Sequence, residues 1–123
     1  MGRPNKKAGK GRQTMEVGSV GDVNVVTILQ RIDSYNAREM EDKLNELVSG
    51  GAGKLVCDFE KNEYISSAGL RVFLALLKSM KRSGGELVLC SLQPPVKSIF
   101  DMAGFSRLFK IFNNRDEALK NFL

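Results

Sequence analysis

Two adjacent serines, Ser66 and Ser67 in the stretch EYISSAGLRV, stand where two unlike patterns meet. The preceding KLVCDF reads as a buried strand and the following LRVFLALLKSM as a helix. A serine at such a join can cap the helix by accepting a bond from an orphan backbone N–H, or it can act as a nucleophile. Nucleophilic serines and cysteines usually need a histidine as general base, and the chain has no histidine. Local chemistry therefore favours the cap. Gly69, in the first turn, weakens a helix by ~1 kcal/mol relative to alanine, so its presence implies that something approaches the backbone closely there.

The other reactive side chains are few. Asp33, Asp58 and Glu60 are carboxylates near expected loop edges. They could hold a metal only if they converged, and metal sites usually draw on a denser acidic cluster. Asp58 reads as a solvated or hydrogen-bonded strand end, and Asp33 as a loop residue near Ser67. Cys57 and Cys90 each lie in an apolar run and read as small core residues. Their spacing fits no zinc motif. SGGAGKL resembles a phosphate-binding loop, but Val48 stands where the first glycine belongs and Leu55 where Ser or Thr should follow the lysine. It also follows a helix and opens a strand, the reverse of the required order. The sequence thus implies no catalytic residue, no metal and no cofactor.

The elements that position these groups follow from periodicity. Two short strands, about Met15–Ser19 and Val23–Leu29, flank a tight SVGD turn. A first helix carries Ala37, Met40, Leu44, Leu47 and Val48 on one face, with Asn36 and Glu39 spaced as a capping box and Gly50 as its stop. KLVCDF is a strand apolar on both faces apart from Asp58. A second helix spans about Ala68–Arg82, ELVLC is a strand, and PPVKSIFDMAG is a short helix with proline in its first turn. RLFKIF and NRDEALKNFL supply a last strand and a closing helix, where Asn114 and Glu117 repeat the capping-box spacing. The order β-β-α-β-α-β-α-β-α predicts an α/β fold with a mixed, mostly parallel sheet and about four helices. The loops around 30–35, 60–67 and 91–94 should then share one edge of the sheet, where ligands and partners of parallel sheets tend to bind.

The 123 residues suffice for one domain. Of 19 basic residues, Arg3, Lys6, Lys7, Lys10 and Arg12 lie in the first fourteen positions, which contain no acid; the remaining 14 balance 14 acidic residues. The net charge of +5 therefore belongs to a tail at 1–14 with a disordered composition, followed by a near-neutral domain at 15–123. Such a tail implies at most weak contact with polyanions and no specific nucleic-acid site. No run approaches the ~18 apolar residues of a membrane span, and no secretory signal is present, so a cytoplasmic protein is expected.

The stretch from Tyr64 to Phe112 resembles the STAS domain, specifically the bacterial anti-sigma factor antagonists. The family shows Asp-Ser-Ser/Thr-Gly-Leu at the start of the second helix, Gly-Gly at its end, and a PxVxxxFxxxG stretch, matched here by Pro94, Val96, Phe100 and Gly104. The likeness runs from about Met15 to Leu119. It implies a regulatory protein, not an enzyme, that binds an anti-sigma factor which is often also a serine kinase. Phosphorylation of one serine ends the binding, and a serine phosphatase restores it. Aligned on the glycine, that serine is Ser67. Ser66 stands where the family usually has Asp, and Ala68 where it has Ser or Thr. Asp33 in QRID matches the acidic residue of a Gly-Glu-Leu/Ile-Asp motif, with Gln30 and Arg31 replacing the Gly and Glu. The implied partner surface comprises Asp33, Tyr35, Ser66, Ala68 and Gly69 around Ser67. The alternative within the same fold is a STAS scaffold or transporter-associated subunit not regulated by phosphorylation.

Overall fold

Residues 15–123 are described in the computed structural model; the basic tail expected at 1–14 lies outside them. Strand β1 (Glu16–Val20) pairs antiparallel with β2 (Val23–Thr27) through a turn in which Gly21 has φ +62°. β4 (Lys54–Asp58), β6 (Glu86–Cys90) and β7 (Lys110–Phe112) extend the sheet in parallel, giving the order β1-β2-β4-β6-β7. Two strands of two residues each, β3 (Arg31–Ile32) and β5 (Tyr64–Ile65), pair with each other in parallel outside the main sheet. These two were absent from the expected order, because a two-residue strand shows no alternation.

Strand side chains point alternately to opposite faces, and both faces of the central strands are apolar. Val26, Leu55, Cys57, Leu87 and Leu89 pack with helices α1 (Ala37–Ser49), α2 (Ser67–Arg82) and α3 (Pro94–Met102). Val23, Val25, Val56, Val88 and Cys90 form a smaller core with Ala118 of α4 (Arg115–Lys120), flanked by Phe112, Leu119 and Phe122. Of the α1 face read from the sequence, Ala37, Met40 and Leu44 are buried and Leu47 and Val48 half-buried against the core; α2 buries Leu70, Phe73, Leu76, Leu77 and Met80 as its periodicity implies, with Val72 buried as well and Leu74 only half-buried. Phe59, just past β4, contacts Phe73 at 5.1 Å and Phe100 at 5.8 Å between ring centroids. This aromatic cluster supports the loop edge from below.

Two local expectations change. Asn36 does not cap α1 through its side chain; its Oδ1 accepts from the Asp33 N–H at 2.9 Å and its Nδ2 donates to the Arg31 carbonyl at 2.9 Å. The last strand begins at Lys110, because Phe105–Arg107 form a 3-10 turn that Gly104, at φ +77°, introduces. Asn114 does cap α4, accepting from the Glu117 N–H at 2.9 Å. No helix among the described residues is long and apolar enough to cross a membrane.

Candidate functional site

The three loops expected at one edge are tied together there. Glu63 N–H donates to the Gln30 carbonyl at 2.7 Å, and the Gln30 amide donates to Glu63 Oε1 at 3.1 Å. Gln93 Nε2 reaches the Glu60 carbonyl at 2.7 Å. Asn62 is fully buried, and its Nδ2 donates to the Leu29 and Tyr64 carbonyls at 2.8 and 3.1 Å. Sequence reasoning passed over Asn62: among loop polar residues it looks ordinary, and only its burial marks it as a clamp.

The β3–β5 pair brings Asp33 to the start of α2. Arg31 lies opposite Tyr64 and Ile32 opposite Ile65, and the next link is a bond from the Ser66 N–H to the Ile32 carbonyl at 2.9 Å. Ser66, extended at φ −83° and ψ 171°, is the cap: its Oγ accepts from the Gly69 N–H at 3.2 Å. Ser67 is the first helical residue, exposed, and its hydroxyl forms no hydrogen bond among the described residues. Of the two serines, Ser66 is thus the cap, and Ser67 takes no part in capping.

Gly69 is buried under the same join. A methyl placed on it would lie 2.6 Å from Ile32 Cγ2 and 2.8 Å from Ile65 Cγ1. The close approach inferred from this glycine is made by the domain's own β3–β5 ribbon. Gly69 therefore supports the surface from beneath, while Ala68 is half-buried beside it. Asp33 is also built into its loop: Oδ1 accepts from the Tyr35 and Asn36 N–H groups at 2.9 and 3.1 Å, and Oδ2 faces Arg31 Nε at 3.6 Å. Tyr35 follows and is 94% exposed, so the fold makes little use of its ring. Exposed tyrosines of this kind are favoured at protein interfaces.

The remaining candidates fall elsewhere. Asp58 is buried, not solvated; its Oδ2 accepts from Arg115 Nε at 2.9 Å and its Oδ1 from the Glu60 N–H at 2.9 Å. The same arginine donates to Thr27 Oγ1 at 3.2 Å, so it fastens α4 to the sheet edge. Among the described residues, no three His, Cys, Asp or Glu side chains assemble as a metal site would require. The two thiols are free and buried, and burial pushes both up in pKa, Cys90 to about 11, which leaves them protonated and inert at neutral pH. A cleft of about 420 Å³ opens between the Thr27–Gln30 and Glu60–Glu63 loops, and another of about 570 Å³ lies beside Ser91 and Arg115. Ser67 lines neither.

A family model described as the STAS domain matches residues 14–118. The chain belongs to the STAS domain family. Relatives of this STAS domain carry a consistent designation. It is 41% identical over 91 residues to BtrV of Bordetella bronchiseptica, whose name proposes it as an anti-sigma factor antagonist; the match covers 74% of this chain and 78% of that protein. It is 34% identical over 86 residues to the anti-sigma-B factor antagonist of Bacillus subtilis, covering 70% and 78%. Its fold is that of the Bacillus cell fate determinant SpoIIAA, solved in a phosphorylated form, with a TM-score of 0.71 over 89% of this chain and all of that one at 15% identity.

Proposed function

We propose that this STAS domain is an anti-sigma factor antagonist in a partner-switching circuit. It binds an anti-sigma factor that is also a serine kinase, through Ser67 and the adjoining Asp33, Tyr35, Ser66 and Ala68. Phosphorylation of Ser67 ends the binding, and a serine phosphatase restores it. The antagonist designations of the relatives support the general role. The observation that carries the site assignment is the division between the serines: Ser66 is engaged as the cap, and Ser67 is exposed with a free hydroxyl.

The physics of such a switch is simple. A phosphate on Ser67 adds about −1.5 to −2 charges and three acceptor oxygens. Next to the unsatisfied N–H groups opening α2, the fold tolerates that charge. A partner surface does not, because it must desolvate the phosphate to make contact. Losing ~3–4 kcal/mol of interface energy lowers affinity a hundredfold or more. ATP, Mg²⁺ and the catalytic base belong to the kinase.

Incubation with candidate anti-sigma kinases and ATP, followed by peptide mapping, tests the proposal. Phosphate is expected on Ser67. Phosphate confined to Ser66, or absent from both serines with a kinase that demonstrably binds, refutes it.

A further inference from the structure

Arg31 lies on the strand bonded to the residues that lead into α2, and the fold makes only loose use of it. Its side chain is 62% exposed. The guanidinium lies over the Tyr64 ring, with Cζ 4.3 Å from the centroid, and Nε stands 3.6 Å from Asp33 Oδ2. That separation is too long for a hydrogen bond, and Asp33 already spends Oδ1 on two backbone N–H groups. The donors of a guanidinium form a planar fork suited to two oxygens at once. Here that fork is held in place by an aromatic face and has no close acceptor among the described residues.

The register sets Arg31 across from the short segment that leads to Ser67. Arg31 is the cross-strand neighbour of Tyr64, and Ser67 follows Tyr64 by three residues, at most about 11 Å of extended chain. The Ser66 N–H bond to the Ile32 carbonyl draws the start of α2 against the strand that carries Arg31. Resting on the reading that Ser67 is the modified residue, we propose that Arg31 is its phosphate receptor within the chain. On modification the guanidinium turns from Asp33 to the phosphate and binds two of its oxygens. A phosphate carries nearly twice the charge of a carboxylate and matches the arginine fork, so the exchange is favourable. It also screens the phosphate from the neighbouring Asp33 carboxylate. The modified surface then differs from the unmodified one in two places: a phosphate is added, and an exposed arginine is withdrawn.

The test uses the full chain with phosphoserine genetically encoded at position 67, which needs no kinase. The second ionisation of the phosphate is followed by ³¹P NMR against pH. A nearby guanidinium favours the dianion, so Arg31→Gln should raise that pKa by about half a unit, the order expected for one charge a few ångströms away in a water-exposed site. Arg31→Lys should raise it less. Arg82→Gln, at the far end of α2, should leave it unmoved. An unchanged titration in Arg31→Gln, or an equal shift in Arg82→Gln, overturns the proposal. Calorimetry of the same samples against the anti-sigma partner separates the two readings. Lost binding with an unmoved titration removes only Arg31's role, whereas retained binding by the phosphorylated chain removes the switch itself.

Discussion

Substituting Ser66 and Ser67 one at a time separates a helix cap from a contact residue. Ser66→Ala deletes the oxygen that accepts from the Gly69 N–H. Loss of such a cap costs about 1 kcal/mol, roughly 4 °C in Tm for a domain of this size. Ser67→Ala deletes a hydroxyl with no partner among the described residues. Its effect on stability should fall within about 0.5 kcal/mol, and alanine's better helix propensity acts in its favour. Ser67→Glu adds a carboxylate at the first helical position, where the helix dipole contributes about 0.3–1 kcal/mol.

The stability order is therefore Ser67→Glu at or above Ser67→Ala, with Ser66→Ala lowest. The order in binding the anti-sigma factor is different. Ser67→Ala should bind like the native chain and stay bound with kinase and ATP present, whereas Ser67→Glu should bind weakly from the start. Glutamate has one charge and two oxygens, so its loss will be smaller than that of a phosphate. Thermal unfolding gives the first order and titration calorimetry the second. If Ser67→Ala loses as much stability as Ser66→Ala, the capping assignment is wrong. If the Ser, Ala and Glu forms bind equally and ATP changes nothing, Ser67 is not a switch.

Three further outcomes are expected. Gly69→Ala should destabilise the domain despite alanine's propensity, because the new methyl meets Ile32 and Ile65 at 2.6 and 2.8 Å and overpacking costs about 1–3 kcal/mol; urea unfolding that shows a gain in stability would mean the ribbon yields freely. Asp33→Ala should weaken partner binding and also lower stability by about 1 kcal/mol, since it strips a turn of two backbone hydrogen bonds; unaltered stability would show that the turn does not depend on that carboxylate. Glu86 is held below the usual carboxylate range by hydrogen bonds from Asn121 and Lys110. A depressed carboxylate stabilises the fold above its unfolded pKa, and that contribution is lost as pH falls through the folded value. Glu86→Gln should accordingly flatten the loss of stability below about pH 4.5, and unfolding curves with the same acid slope as the native chain would remove that contribution.

The parts of the fold legible in the sequence were those with a period. α2 carries seven buried residues at helical spacing, and β4 and β6 are apolar on both faces, so both could be read without coordinates. The parts that were not legible depend on partners distant in sequence. Nothing local distinguishes Asp58 as buried, because its salt-bridge partner lies 57 residues away at Arg115. β3 and β5 have two residues each and are defined only by each other. Asn36 had the spacing of a cap, yet Asp33 competes for the same backbone and satisfies the Asn36 N–H itself. At the candidate site, Gly69 was recognised as a point of close approach, but which chain approaches is a tertiary fact. The choice between Ser66 and Ser67 as cap differs by one residue, within the uncertainty of any helix boundary read from pattern alone.

The hydroxyl of Ser67 is structurally dispensable, and that bears on how a switch can be built here. Everything that positions the residue comes from its neighbours. Ser66 caps the helix, the Ser66 N–H bond to the Ile32 carbonyl fixes the approach to β3, and Gly69 lets that ribbon sit against α2. None of these contacts uses Ser67 Oγ. Exchanging its proton for a phosphoryl group would leave each of them in place, so the two forms should share one backbone and nearly one stability. A switch of this kind has no need of a bistable element. Its free energy lies in the interface, where a desolvated phosphate opposes binding, and phosphate removal restores the binding surface on a backbone that never rearranged. Amide hydrogen exchange across 64–82 in both forms examines this directly. Equal protection is expected, and a loss of protection through α2 on phosphorylation would show that the modification works by unfolding the helix instead.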